Sequence, residues 1–126
     1  MKAILDTSVL IATAVEPLDG ELAISAASLA ELHFGVLVTT DPVVRAERLR
    51  RLSLLQRTFD ALPVDDDVAA SYGQLAAALV ASGRQPRSRV MDILIAATAH
   101  AHSARLYTRN ATDLAGIEAL IEIVPV

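Results

Sequence analysis

Short β-like runs alternate with helical stretches along the chain, and this alternation constrains the fold more than any other feature. Lys2–Leu5, Leu22–Ile24, Ala61–Val64, "RLYT" (Arg105–Thr108) and the terminal "IEIVPV" read as short strands. Between them the apolar spacing and end signals predict helices. They span Thr7–Val15, Ser25–Val38, Pro42 towards Phe59, Asp65–Gly83 and Ser88–His102. Glu16–Gly20 reads as a turn, Gln85–Arg87 and Arg109–Asp113 as loops. The Ser88–His102 helix is apolar nearly all round, which predicts a central position. Such a pattern implies an α/β sandwich with a mainly parallel central sheet. The 126 residues suit one domain spanning 1–126. In parallel sheets, sites form beyond the carboxyl ends of the strands. Asp6 follows the first strand, and Asn110 and Asp113 follow the Arg105–Thr108 strand.

Composition narrows the class. Hydrophobic residues make up 53% and mean hydropathy is +0.44, high for a soluble monomer. No apolar run reaches the roughly 18 residues of a membrane span. "MKAILDTSVLIATAV" is broken by Asp6 and lacks a clear cleavage site, so it does not read as a signal peptide. The expected location is cytoplasmic, with no membrane partner. The absence of Cys removes disulfides and thiolate metal sites from consideration. The apolar surplus predicts an oligomer or partner interface. Net charge is −4, but Arg45–Arg57 holds five Arg and one Glu, leaving −8 for the rest. That run is either a solvated helix face or a track for phosphates.

Two carboxylates sit inside apolar segments: Asp6 in "ILDTSVLIA" and Asp92 in "RVMDILIAATA". Burying a carboxylate is costly unless something pairs with it. Each candidate acid has an ordinary explanation. Asp6 could cap a helix. Glu31 completes a Ser28-x-x-Glu31 spacing, but a helix starting near Ser25 puts it in the second turn, too late for a capping box. Its neighbours three and four away, Ala27, Ser28, Phe34 and Gly35, are mostly small and leave room beside the carboxylate. Asp92 could face the dipole of its helix and pair with Arg89. Asp113 could cap a short helix, "DLAGIEAL". One shared site explains more than four caps. Three or four converging carboxylates repel each other, and a cation relieves that repulsion. Oxygen ligands without Cys suit Mg²⁺ or Mn²⁺. His100 and His102 are two apart on a helix and do not form a zinc pair, and His33 is alone.

"ILDTSVLIA", "ISAASLAELHFGV", "SRVMDILIAATA" and "LYTRNATDL", in that order, resemble PIN-domain proteins, and within them the VapC-type toxins of bacterial toxin–antitoxin pairs. The resemblance covers nearly the whole chain. It narrows the fold to a three-layer α/β/α sandwich, and implies an Mg²⁺- or Mn²⁺-dependent endoribonuclease, a homodimer, and a cognate antitoxin that blocks the cleft. It assigns catalytic roles to Asp6, Glu31, Asp92 and Asp113, with Asp6 and Asp92 as metal ligands. Thr7, Ser8, Thr108 and Asn110 are supporting positions. Many PIN domains carry an aspartate directly after "TR", where this chain has Asn110. The expectation is that Asp113 supplies the fourth carboxylate and Asn110 an outer group. Arg45, Arg48, Arg51 and Arg89 are candidate RNA contacts. Aromatic content is 3%, so recognition by shape and phosphates is favoured over base stacking.

Rivals fit less well. A receiver-like domain would want an acidic pair at the first strand, and a haloacid-dehalogenase-like phosphatase would want an Asp where Ser8 stands. The serious alternative is a PIN fold that binds RNA or protein without cutting.

Overall fold

Side chains alternating along β1 (Lys2–Leu5) set up the layers of the molecule. Ala3 and Leu5 enter one apolar core, and Ile4 enters another on the opposite face. The same alternation recurs in β4 (Arg105–Thr108), where Leu106 joins Ile4 and Tyr107 joins Ala3 and Leu5. A sheet buried on both faces follows from this pattern. The structure, a computed structural model, describes residues 1–12 and 16–126. With β2 (Glu21–Ser25), β3 (Ala61–Leu62) and β5 (Ile123–Pro125), the strands form one parallel sheet in the order β3-β2-β1-β4-β5. Ile4 lies opposite Ala23 on one side and Leu106 on the other.

Helices cover both faces, as the alternation requires. On the Ala3–Leu5 side lie α1 (Thr7–Leu10), α2 (Ala26–Val38) and α3 (Pro42–Thr58), packed through Val9, Leu10, Leu29, Leu32 and Leu55. On the Ile4 side lie α4 (Asp66–Ala81) and α5 (Val90–Ala101), packed through Leu75, Leu79, Ile93, Ala96 and Ala97. The expected three-layer sandwich is the fold found. The nearly all-apolar α5 is its most deeply buried helix, with Ile93 and Ile95 at 0% exposure. Truncating either to Ala would cost about 2–5 kcal/mol. No helix among the described residues is long and apolar enough to cross a membrane.

Several element ends differ from expectation, each for a local reason. The strand expected over Ala61–Val64 stops at Leu62, because Pro63 has no N–H for the ladder. Pro86 instead opens a 3-10 turn, Pro86–Arg89, inside the stretch expected as loop and helix start. That turn delays α5 to Val90 and leaves Asp92 in its first turn. The helix expected over Thr7–Val15 ends as α1 at Leu10, and its part at 13–15 lies outside the described residues. "DLAGIEAL" is no helix and Asp113 no cap. A 3-10 turn, Ala111–Leu114, gives way to turns, and Gly116 at φ +111° cannot continue a helix. Gly83, at φ +84°, follows the end of α4 as its sequence position predicts.

Candidate active site

The strand order reverses direction between β1 and β4, the switch point at which sites form in such sheets. Asp6 stands at the end of β1 and Thr108 at the end of β4. The Asp6 main-chain N–H still donates to the Tyr107 carbonyl at 2.9 Å, so the ladder carries both side chains to the same edge. Asp6 is the N-cap of α1, as its ordinary reading holds, but its side chain does more. Its Oδ2 accepts from the Ser8 N–H at 3.3 Å, from the Ser8 hydroxyl, and from the Thr108 hydroxyl at 3.0 Å. Those hydroxyls in turn accept main-chain N–H bonds. Arg109 donates to Ser8 Oγ and Asn110 to Thr108 Oγ1, both at 3.0 Å. With their lone pairs engaged, both protons point at Asp6. Every hydrogen bond to the Asp6 carboxylate among the described residues goes to Oδ2, and none to Oδ1. The side chain is 5% exposed, so its charge is held by this belt of donors.

Glu31 sits in the second turn of α2, whose N-cap is Ser25. Its Oε1 accepts from Thr7 Oγ1 at 2.7 Å. Thr7 Oγ1 also lies 2.9 Å from the fully buried Ser28 Oγ. Thr7 therefore ties the turn after β1 to α2. Ser25 Oγ caps Ala27 N–H at 3.1 Å and lies 2.9 Å from Thr98 Oγ1, linking α2 to α5 behind the acids. Ser28, Ser25 and Thr98 were not singled out as site residues by the sequence reading. Only the small side chains flanking Glu31 hinted at them, and the space they leave holds hydroxyls.

Asp92 and Asp113 share one partner. Arg89 Nη1 lies 3.1 Å from Asp113 Oδ2 and 3.9 Å from Asp92 Oδ2. Burial pushes the Asp92 carboxyl above its ordinary value, and the charges of Asp6, Glu31 and Asp113 push the same way. Arg89 pulls it back. Asp92 is thus close enough to feel the other three acids. The four do not form a single tight knot of carboxylates, however. Among the described residues no three His, Cys, Asp or Glu side chains stand together as a cage for an ion. They are drawn apart in three settings: Asp6 to Ser8 and Thr108, Glu31 to Thr7, Asp92 and Asp113 to Arg89. Asn110 is exposed, and its side chain makes no hydrogen bond among the described residues.

Three of the Arg expected to meet RNA are bonded to main chain. Arg45 donates to the Thr39 carbonyl at 2.7 Å, Arg48 to the Gly35 carbonyl at 2.7 Å and Arg51 to the Leu10 carbonyl at 2.8 Å. Helix α2 has no basic residue in its last turn, so arginines from α3 reach its carboxyl end.

A model of the PIN domain family matches residues 3–115. The chain belongs to the PIN-domain family. Within it, the chain is of the VapC type. It is 38% identical to Ribonuclease VapC5 of Mycobacterium tuberculosis over 131 residues, covering 98% of this chain and 94% of that protein. A crystal structure of VapBC-5 from the same organism, a member of the VapBC family of toxin–antitoxin systems, superposes with a TM-score of 0.83 at 35% identity, covering 99% and 98% of the two chains. FitAcB from Neisseria gonorrhoeae superposes with a TM-score of 0.76 at 25% identity, covering 96% and 95%. This PIN domain therefore has relatives matched along nearly their whole length.

Proposed function

We propose that the protein is a divalent-metal-dependent endoribonuclease and the toxin of a toxin–antitoxin pair. The observation that carries this reading is the Asp92 carboxyl raised by burial and by the charges of Asp6, Glu31 and Asp113, in a chain 38% identical to a named ribonuclease. The donor set fits a hard cation. It is all oxygen, and Asp6 Oδ1 and Glu31 Oε2 carry no hydrogen bond among the described residues. Asp6 and Asp92 would hold Mg²⁺ or Mn²⁺, with Glu31 and Asp113 beside them. A bound divalent ion would supply Lewis acidity towards water and towards the phosphate.

The chain's own residues do the rest. Ser8 and Thr108 fix Asp6 in one rotamer. Thr7 orients Glu31, which would accept a proton from the attacking water through Oε2. Arg89 and its neighbours supply positive charge for the phosphate. Asn110 would act from outside this set, and Asp113 in place of an acid at 110.

Exposed apolar side chains support the partner part of the reading. Phe34 and Leu37 of α2 and Val43 of α3 are 66%, 72% and 67% exposed. A small antitoxin would lay a helix or strand across this hairpin, near Arg45–Arg57. The same apolar surplus supports a homodimer. Incubating the purified chain with RNA tests the reading. Cleavage should occur with Mg²⁺ or Mn²⁺, stop with EDTA and return with excess metal. Binding of RNA without cleavage under any metal would favour the non-catalytic PIN module instead.

A further inference from the structure

Arg89 is a cation already seated among the acids. It closes the 3-10 turn Pro86–Arg89, immediately before α5. Asp92 lies one helical turn on, and Asp113 comes from a separate turn after β4. The guanidinium bridges them through a single nitrogen, Nη1, at 3.1 Å and 3.9 Å. That is not the forked, two-bond pairing that makes Arg–carboxylate contacts strong. The three side chains are each between 34% and 39% exposed, so water competes for them. Arg89 therefore offsets the charge of two acids only in part, and grips neither with a two-bond fork.

Beside it opens a recess of about 150 Å³, lined among others by Arg84, Ser88, Arg89 and Asp113. Arg84 leans on the Asp113 carbonyl at 3.4 Å. Two guanidiniums thus border a space adjoining the acids.

We propose that Arg89 is a displaceable counter-ion: a divalent cation held by Asp6 and Asp92 takes over the charge of Asp92 and, beside it, Asp113, and the released guanidinium joins Arg84 as an anchor for an RNA phosphate. This rests on the metal-dependent reading above. Three features favour it. The ion brings two charges where Arg89 brings one, and Asp6 and Glu31 add to the field it enters. A guanidinium cannot shed its proton, so it leaves the acids only by moving. Its planar fork, poorly used on the acids, matches a phosphate. The arrangement lets metal loading and RNA binding reinforce each other, and partly offsets the repulsion among the acids until the metal arrives.

Calorimetric titration with Mn²⁺ at low salt tests it on the wild-type chain, Arg89→Gln and Arg89→Lys. Arg89→Gln should bind Mn²⁺ about three- to tenfold more tightly, because the competing charge is gone. Arg89→Lys should stay near wild type. In the wild-type protein, the Arg89 guanidinium Nε–H signal should shift on adding Mg²⁺ and again on adding a 2′-deoxy oligonucleotide that cannot be cleaved. At saturating Mg²⁺, Arg89→Gln should hold that oligonucleotide several-fold less tightly. Unchanged or weaker Mn²⁺ binding by Arg89→Gln, an Arg89 signal unmoved by Mg²⁺, or undiminished oligonucleotide binding would each overturn the proposal. A wild-type chain that binds no Mn²⁺ would instead bring down the metal-dependent reading itself, a distinct result.

Discussion

A carboxylate earns its place in an apolar segment either by finding donors or by waiting for a cation, and the four acids divide on this point. Asp6 has donors: Ser8 and Thr108 point both their protons at it. Thr108→Val keeps the shape and removes one of them. It should lower RNA cleavage about tenfold or more while leaving the circular dichroism spectrum unchanged. Asp92 has only a distant Arg89. Its carboxyl is raised by burial first, then by Asp6 and Glu31. The folded metal-free protein therefore holds this proton more tightly than the unfolded chain does. That contribution to stability is fully present below the ordinary value of 3.8 and is lost as pH rises through the raised one. Urea unfolding without metal should show Asp92→Asn gaining stability relative to wild type as pH climbs through this window. Asp92→Asn losing stability relative to wild type as pH climbs would instead mean that Asp92 is a helix-dipole partner. The residues that the sequence could not reveal are the hydroxyls. Ser25 and Thr98 look ordinary until the packing of α2 against α5 brings their oxygens together, and Ser28 until α1 brings Thr7 to it.

At the scale of elements, the strands and helices were legible because alternation and end signals are local. Gly83 ends α4 and Pro42 begins α3 as their chemistry dictates. What escaped were events set by a single residue inside a pattern. Pro63 clips β3, Pro86 winds a 3-10 turn before α5, and Gly116 dissolves a short helix. The arginine run shows the other limit. Its charge was visible, but charge alone does not say that Arg45, Arg48 and Arg51 reach back to carbonyls of α1, α2 and the residue after it. Arg51, half-buried, ties α3 to the end of α1, where the Asp6 turn finishes. Arg51→Ala should cost about 1–2 kcal/mol in urea unfolding, whereas Arg50→Ala should stay within about 0.5 kcal/mol. Equal losses would mean that the contact with Leu10 contributes nothing particular.

Across the whole molecule, the order β3-β2-β1-β4-β5 does one thing that no stretch of sequence does alone. It sets residues 6 and 108 side by side at the switch point, with α2 and α5 delivering Glu31 and Asp92 from opposite layers. Long-range pairing of this kind was foreseeable only through the parallel-sheet rule and the likeness to a family. The same architecture leaves Phe34, Leu37 and Val43 uncovered on one hairpin. Changing Phe34 and Leu37 to Ser should leave RNA cleavage intact and abolish capture of a co-expressed antitoxin. Loss of cleavage with capture intact would reverse that assignment. The central claim is that the acids at the switch point run metal-dependent RNA hydrolysis, and Asp92→Asn tests it most directly. RNA cleavage is measured with Mg²⁺ for both proteins, alongside their metal-free stability. The account predicts a rate lower by on the order of a hundredfold or more, in a protein at least as stable as wild type. An Asp92→Asn protein that cleaves RNA at the wild-type rate would contradict it.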